Sequence, residues 1–321
     1  MSMPAEDTVA VECPHCHVTL GVNRQYLGQT IQCGRCRQQL TIPTQPNAAG
    51  GTLFGRVSPG APPRTPQVSE SVDIESLRTA GESALRVVCL VVSILLTLLL
   101  LLSCFGILYL GGFMLTSWIS LAFMMAHIKG RAVQVTPAQL PEIHESACRV
   151  CAKLGLQMPP DVYVVQEQGW LNAFATRFAS RDYVVLYAEL VEACGSNTRE
   201  LDMIVAHEIG HLALGHITWR WLLFPALFIP FLAQAYSRAC EYSADLCGQA
   251  GCGDSAAAAR GLLILAAGGR CARMASMAAF LRQGREIGGF WQTVIQWLST
   301  HPWLTHRVQA LHRADPVATG S

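Results

Sequence analysis

The chain is poor in charge. Of its 321 residues only 14% are Asp, Glu, Lys or Arg, and they balance to a formal +1. That balance gives no reason to expect nucleic acid or an acidic partner. Residues 85–126 carry no charged side chain apart from Arg86. In a chain that is 51% apolar with positive mean hydropathy, such a run argues against a wholly water-soluble protein and fits a few membrane segments. Residues 1–12 lack the apolar stretch of a signal peptide, so cleavable export is not expected. A disulfide framework is missing too. Of 13 cysteines, four form a metal-binding pattern, two sit in the apolar run and seven are scattered, which suits a reducing compartment.

Length suggests about two domains, and composition divides the chain further. Residues 1–42 contain Cys13-Pro14-His15-Cys16 and Cys33-Gly34-Arg35-Cys36. Two such pairs put four thiolates around one ion, with the segment between them expected to supply the β-hairpin of a zinc ribbon. Iron bound in the rubredoxin manner is the alternative. His15 and His17 read as surface residues, because the cysteines already complete four-coordination. So few basic residues point to docking or sensing rather than DNA reading. Residues 43–80 read as a flexible tether: residues 43–71 hold six of the 16 prolines, with Gly50, Gly51, Gly55 and Gly60.

Residues 81–130 read as a transmembrane helical hairpin with spans near 85–104 and 107–126. The turn falls at Cys104-Phe105-Gly106 or at Gly111-Gly112. Arg78 and Arg86 precede the pair, and Lys129 and Arg131 follow it, so both flanks are expected in the cytoplasm. A buried helical hairpin in a soluble protein is the competing reading.

The chemistry concentrates in residues 131–321, at His207-Glu208-Ile209-Gly210-His211. On a helix, residues four apart share a face, so His207 and His211 can offer imidazole nitrogens to one ion, while Glu208 can take a proton from water. Thr198 or Asn197 can cap this helix, and Leu201, Ile204, Val205, Glu208, His211 and Leu212 follow its spacing. Upstream, residues 137–154 read as an amphipathic helix that takes in Cys148 and Cys151 as helix residues, not ligands. Residues 162–165 and 183–187 read as strands. Between them, Asn172-Ala173-Phe174 is a candidate exposed strand that pairs with extended substrate.

A third ligand must come from elsewhere. A metzincin would need Gly and His where Leu214 and Ile217 stand, so that class is excluded. His216 falls off the ligand face and is not expected to bind the ion. A gluzincin takes a glutamate from a later helix, and Glu241-Tyr242-Ser243-Ala244-Asp245 can supply it. Glu241 would complete the site and Asp245 would accept an imidazole N–H. Residues 219–236 are apolar, broken by Pro225 and Pro230. A single crossing there would put Glu241 and His211 on opposite sides of a bilayer, so the stretch must re-enter, lie along the interface, or pack beside the site. Residues 255–281 and 290–298 read as packed helix.

His207–His211, Glu241-x-x-Ala244-Asp245, Asn172-Ala173-Phe174 and His301-Pro302 with Arg307 occur together and in order. The set resembles the gluzincin membrane peptidases of the HtpX and CAAX-prenyl-protease type. The resemblance covers residues 133–311 and the preceding hairpin. It implies a mainly α (α+β) zincin-like domain with a small sheet, one catalytic Zn2+ beside the structural Zn2+ of the ribbon, and endopeptidase action in membrane-protein quality control. It also implies that His301 and Arg307 lie beside the site and steady a developing oxyanion; His306 matches no family position. The expected partners are a peptide or membrane-protein substrate, the lipid bilayer and a protein recognised by the ribbon; the expected home is a bacterial inner membrane. The ribbon departs from the family pattern, as does the shortness of residues 219–236, where two apolar segments are usual. Two other readings stand beside this one: a zinc-binding membrane scaffold, and a ribbon-led sensor in which proteolysis is secondary.

Overall fold

A computed structural model describes residues 8–12, 19–23, 26–33, 38–42, 72–167 and 171–314. It divides into two compact units, the first up to Glu70 together with Gln157–Pro159, the second Ser71–Leu156 and Pro160–Ser321.

In the first unit β1 (Thr8–Glu12) pairs antiparallel with β2 (Thr19–Asn23), and β3 (Thr30–Gln32) with β4 (Gln39–Thr41). The expected single hairpin between the cysteine pairs is therefore corrected to two hairpins, each pair falling in sequence between the strands of its own. Alternation decides this: Val22, Leu40 and Ile42 turn inward around the buried Cys33. Cys13, Cys16 and Cys36 lie outside the described residues, as do residues 43–71 of the expected tether.

The described chain resumes at Val72, where the proline-rich tract ends, so the last residues of the expected 43–80 tether are structured. A 3-10 turn at Ile74–Leu77 is capped by Asp73, and Ile74 and Leu77 pack on the main core. Thr79 then caps α1 (Ala80–Leu101), and α2 (Cys104–Arg131) follows directly. The hairpin turn is thus Leu102–Ser103, a short link, and neither glycine site makes it. Both helices are long and apolar enough to cross a membrane, about 33 Å for α1.

Past the hairpin lies a four-stranded sheet in the order β5-β6-β8-β7: β5 (Val133–Gln134), β6 (Asp161–Val165), β7 (Ala173–Phe178) and β8 (Arg181–Tyr187). The period-two rule explains why β8 carries no charged side chain from Tyr183 onward. Tyr183 and Val185 face Met125 and Ile128 at the end of α2, while Val184 and Leu186 face a helical core. That core includes α3 (Pro141–Lys153), α4 (Ala188–Cys194) and α5 (Thr198–Ala213). The first of these begins at Pro141, later than its sequence pattern suggests, because residues 136–139 close a backbone turn. Cys151 is buried in the core and Cys148 lies beside His144.

The apolar stretch after α5 makes no span. It forms α6 (His216–Leu222) and a 3-10 turn at Phe224–Phe228 before α7 (Leu232–Cys252) begins. It packs against α1: the Ser93 hydroxyl donates to the Leu223 carbonyl at 3.0 Å and accepts from the Ala226 N–H at 3.2 Å. Then α8 (Ser255–Met274) is broken at Gly268, whose φ of 75° no helix accommodates, and α9 (Met277–Glu286) is separate. The continuous helix expected over 255–281 is therefore interrupted. Two further helices, α10 (Phe290–Leu298) and α11 (Leu304–Ala314), complete the described chain.

Candidate active site

Asn197 starts α5 by accepting the Arg199 N–H at 3.2 Å, which satisfies one of the helix's orphan donors. About three to four turns on, this helix carries His207, Glu208 and His211. Across it runs α7 with Glu241 and Asp245. The helices approach closely because Gly210 has no side chain: a Cβ there would sit 2.6 Å from the Cβ of Cys247. A Gly210→Ala variant is therefore expected to push the two helices apart and cost about 1–3 kcal/mol. Denaturant unfolding checks this, and an unchanged midpoint would mean the contact yields without cost.

Three ligand atoms converge. His207 Nε2 and His211 Nε2 are 3.2 Å apart, while Glu241 brings Oε2 to 3.6 Å from the first and Oε1 to 3.5 Å from the second. A tetrahedral zinc ion with bonds of about 2.0–2.2 Å holds its ligand atoms about 3.3–3.6 Å apart, so the donor set fits that ion in chemistry and comes close to it in spacing. The three residues form one group able to hold a metal.

The surroundings favour a cation at this point. Burial acts to lower the pKa of His207, but hydrogen bonds to Asp245 and Glu241 outweigh it and raise the value to about 10. Burial would also keep Glu241 neutral, yet the Arg307 guanidinium and both imidazoles hold its carboxyl well below the usual range.

His207 Nδ1 lies 3.1 Å from Asp245, which anchors the ring from behind. Arg307, from α11, grips that same Asp245 through Nε at 2.8 Å and Nη2 at 2.6 Å, and reaches Glu241 through Nη1 at 3.0 Å. It is buried and faces the two carboxylates. His301 stands at the mouth, 66% exposed at its side chain, with Nε2 3.5 Å from Glu241. Glu208 lines the same cleft, and among the described residues no side chain hydrogen-bonds to its carboxylate.

The cleft encloses about 420 Å³. Asn172, Ala173 and Phe174 line it with the α5 histidines, at the start of β7. That strand is the edge of its sheet, with β8 on one side and no strand on the other among the described residues. An extended peptide can add there through main-chain hydrogen bonds.

Two residues next to the site carry no sign in any motif. His216 Nδ1 is 2.7 Å from His211 Nδ1, and Glu82, from the first turn of α1, is 3.2 Å from His216 Nε2. The helical wheel set His216 aside because five residues do not return to one face. Gly215, at φ 73°, ends the helix and turns the chain back, so the wheel does not apply. An acidic residue at the head of an apolar run is all that the sequence shows of Glu82.

No curated protein and no solved structure matches this chain. Residues 137–228 and 221–315 match peptidase family M48 and together take in the whole of the cleft described above. Since they also amount to more than half of its length, the chain belongs to peptidase family M48, the metallopeptidases of the HtpX and CAAX-prenyl-protease type.

Proposed function

We propose that the chain is a membrane-bound zinc endopeptidase that hydrolyses peptide bonds, with membrane-protein quality control as its role. The observation that carries the reading is the convergence of His207, His211 and Glu241 beside Glu208, whose carboxylate no described side chain hydrogen-bonds, at the foot of a strand edge that no described strand covers.

His207, His211 and Glu241 would hold the zinc, which when bound supplies Lewis acidity that brings the pKa of water from about 15.7 towards 7 and polarises a carbonyl. Glu208 takes the proton from the attacking water and passes it to the leaving amine. Substrate lies extended along β7 at Asn172-Ala173-Phe174. His301 stands where it can donate a hydrogen bond to the oxygen of the scissile group. Arg307 contributes by holding Glu241 and Asp245 ionised and in position, and Asp245 keeps the His207 ring oriented.

The helices α1 and α2 form the membrane hairpin, with the catalytic domain on the cytoplasmic side of a bacterial inner membrane. Ser93 lies roughly 16 Å along α1 from Glu82, so the turn around residues 223–226 enters the hydrocarbon while the metal site stays level with the head of the span. The Ser93 hydroxyl satisfies backbone groups at a break in the helix, as that depth requires. The N-terminal module holds a structural zinc through Cys13, Cys16, Cys33 and Cys36 and recruits a protein partner.

Zinc stoichiometry of wild type against a His207→Ala, His211→Ala double variant tests the reading, with casein hydrolysis followed alongside. Two ions should fall to one, with activity lost. One ion in both and hydrolysis in neither would leave a zinc-binding scaffold instead.

A further inference from the structure

The side chains of Glu82 and His216 are 0% and 3% exposed and belong to no motif, although they stand against a metal-binding histidine. We infer that Glu82, acting through His216, is a positioning residue that holds the His211 ring in the orientation and tautomer a zinc ligand needs. The inference rests on the zinc reading above and extends it to the first turn of the first apolar helix.

The proton positions follow in sequence. His211 turns Nε2 towards His207 and Glu241, so as a ligand through that atom it carries its proton on Nδ1. Among the described residues the only group at hand is His216 Nδ1, at 2.7 Å, which must accept. His216 then bears its proton on Nε2, 3.2 Å from Glu82 Oε2. Ring and carboxylate meet somewhat off the line of an ideal hydrogen bond, but among the described residues neither atom has another partner, so each is the other's compensation for burial. Arg78 closes the chain. One guanidinium nitrogen pairs with the other Glu82 oxygen, and Nη2 donates to the Leu214 carbonyl at 2.8 Å, at the end of the helix that bears His211.

Each metal-binding histidine thus has a carboxylate behind it. His207 meets Asp245 directly, and His211 meets Glu82 through one intervening ring. Such partners fix the tautomer and raise ligand basicity. Glu82, His216 and Cys240 also lie close enough to hold an ion themselves. The geometry favours the relay, because the Arg78 cation already occupies Glu82 and His216 already turns its other nitrogen to His211.

The test is zinc affinity of the full-length chain in detergent, measured by chelator competition for the equivalent that depends on His207 and His211. Glu82→Gln and His216→Phe should each weaken it about 10–100-fold. The double variant should be no weaker than the worse single one, because both act on the same link. If Glu82→Gln fails to fold through loss of the Arg78 partner, His216→Phe still tests the link with that pair intact. Wild-type affinity in His216→Phe, or losses that multiply in the double variant, would overturn the inference. So would loss of a separate zinc equivalent from His216→Phe while the His207/His211 equivalent keeps its affinity, since Glu82, His216 and Cys240 would then hold their own ion. A wild type with no His207/His211-dependent zinc would instead remove the zinc reading on which the inference stands.

Discussion

A Glu208→Gln variant should keep its zinc and lose hydrolysis by about 10²–10⁴-fold, the range a positioned general base supplies. The amide has nearly the carboxylate's shape, so packing on α5 is preserved, but it cannot accept a proton from water. The prediction is sharp because Glu208 has no competing structural duty: it lines the cleft, and no described side chain hydrogen-bonds to its carboxylate. Casein hydrolysis and zinc content of one preparation decide the matter. Cleavage at the wild-type rate would mean another base, and joint loss of zinc and cleavage would make Glu208 a support of the metal.

The second large effect is expected at Arg307. Its buried guanidinium joins Asp245 from α7 through two nitrogens and Glu241 from the same helix through a third. An Arg307→Met variant leaves two buried carboxylates without that cation, and removal of one partner from such a set costs about 3–5 kcal/mol. Denaturant unfolding of zinc-free protein should show the whole loss, and saturating zinc should recover part of it, because the ion restores positive charge beside Glu241. Arg307→Lys should recover less than half, since an ammonium cannot make the forked contact with Asp245. A loss below about 1 kcal/mol in the metal-free protein would show that water reaches these carboxylates and screens them.

These two residues show how differently parts of the site could be read. Glu208 is legible because H-E-x-x-H lies within one helix, where spacing alone sets the face. Glu241 and Asp245 were also legible, because a three-ligand metal needs a further donor and four-residue spacing puts both acids on one face of α7. The contacts of Arg307 were not: it meets two carboxylates and, at 3.4 Å, His207 Nδ1, partners that only the packing of α11 brings within reach. The 43–80 boundary ran past the proline-rich tract, and Ile74 and Leu77 beyond it find an apolar surface that composition cannot register.

The sequence by itself determined the elements and chemistry governed by local spacing: two helices apolar enough to cross a membrane, the metal-binding face of α5, the acidic pair of α7 and the strand beside the cleft. Tertiary structure alone decided where the broken stretch after α5 goes and what stands behind His211. The reason is distance along the chain. Ser93 meets Leu223, and Glu82 meets His216, through contacts more than a hundred residues long, made by single polar side chains with no period for a sequence to display.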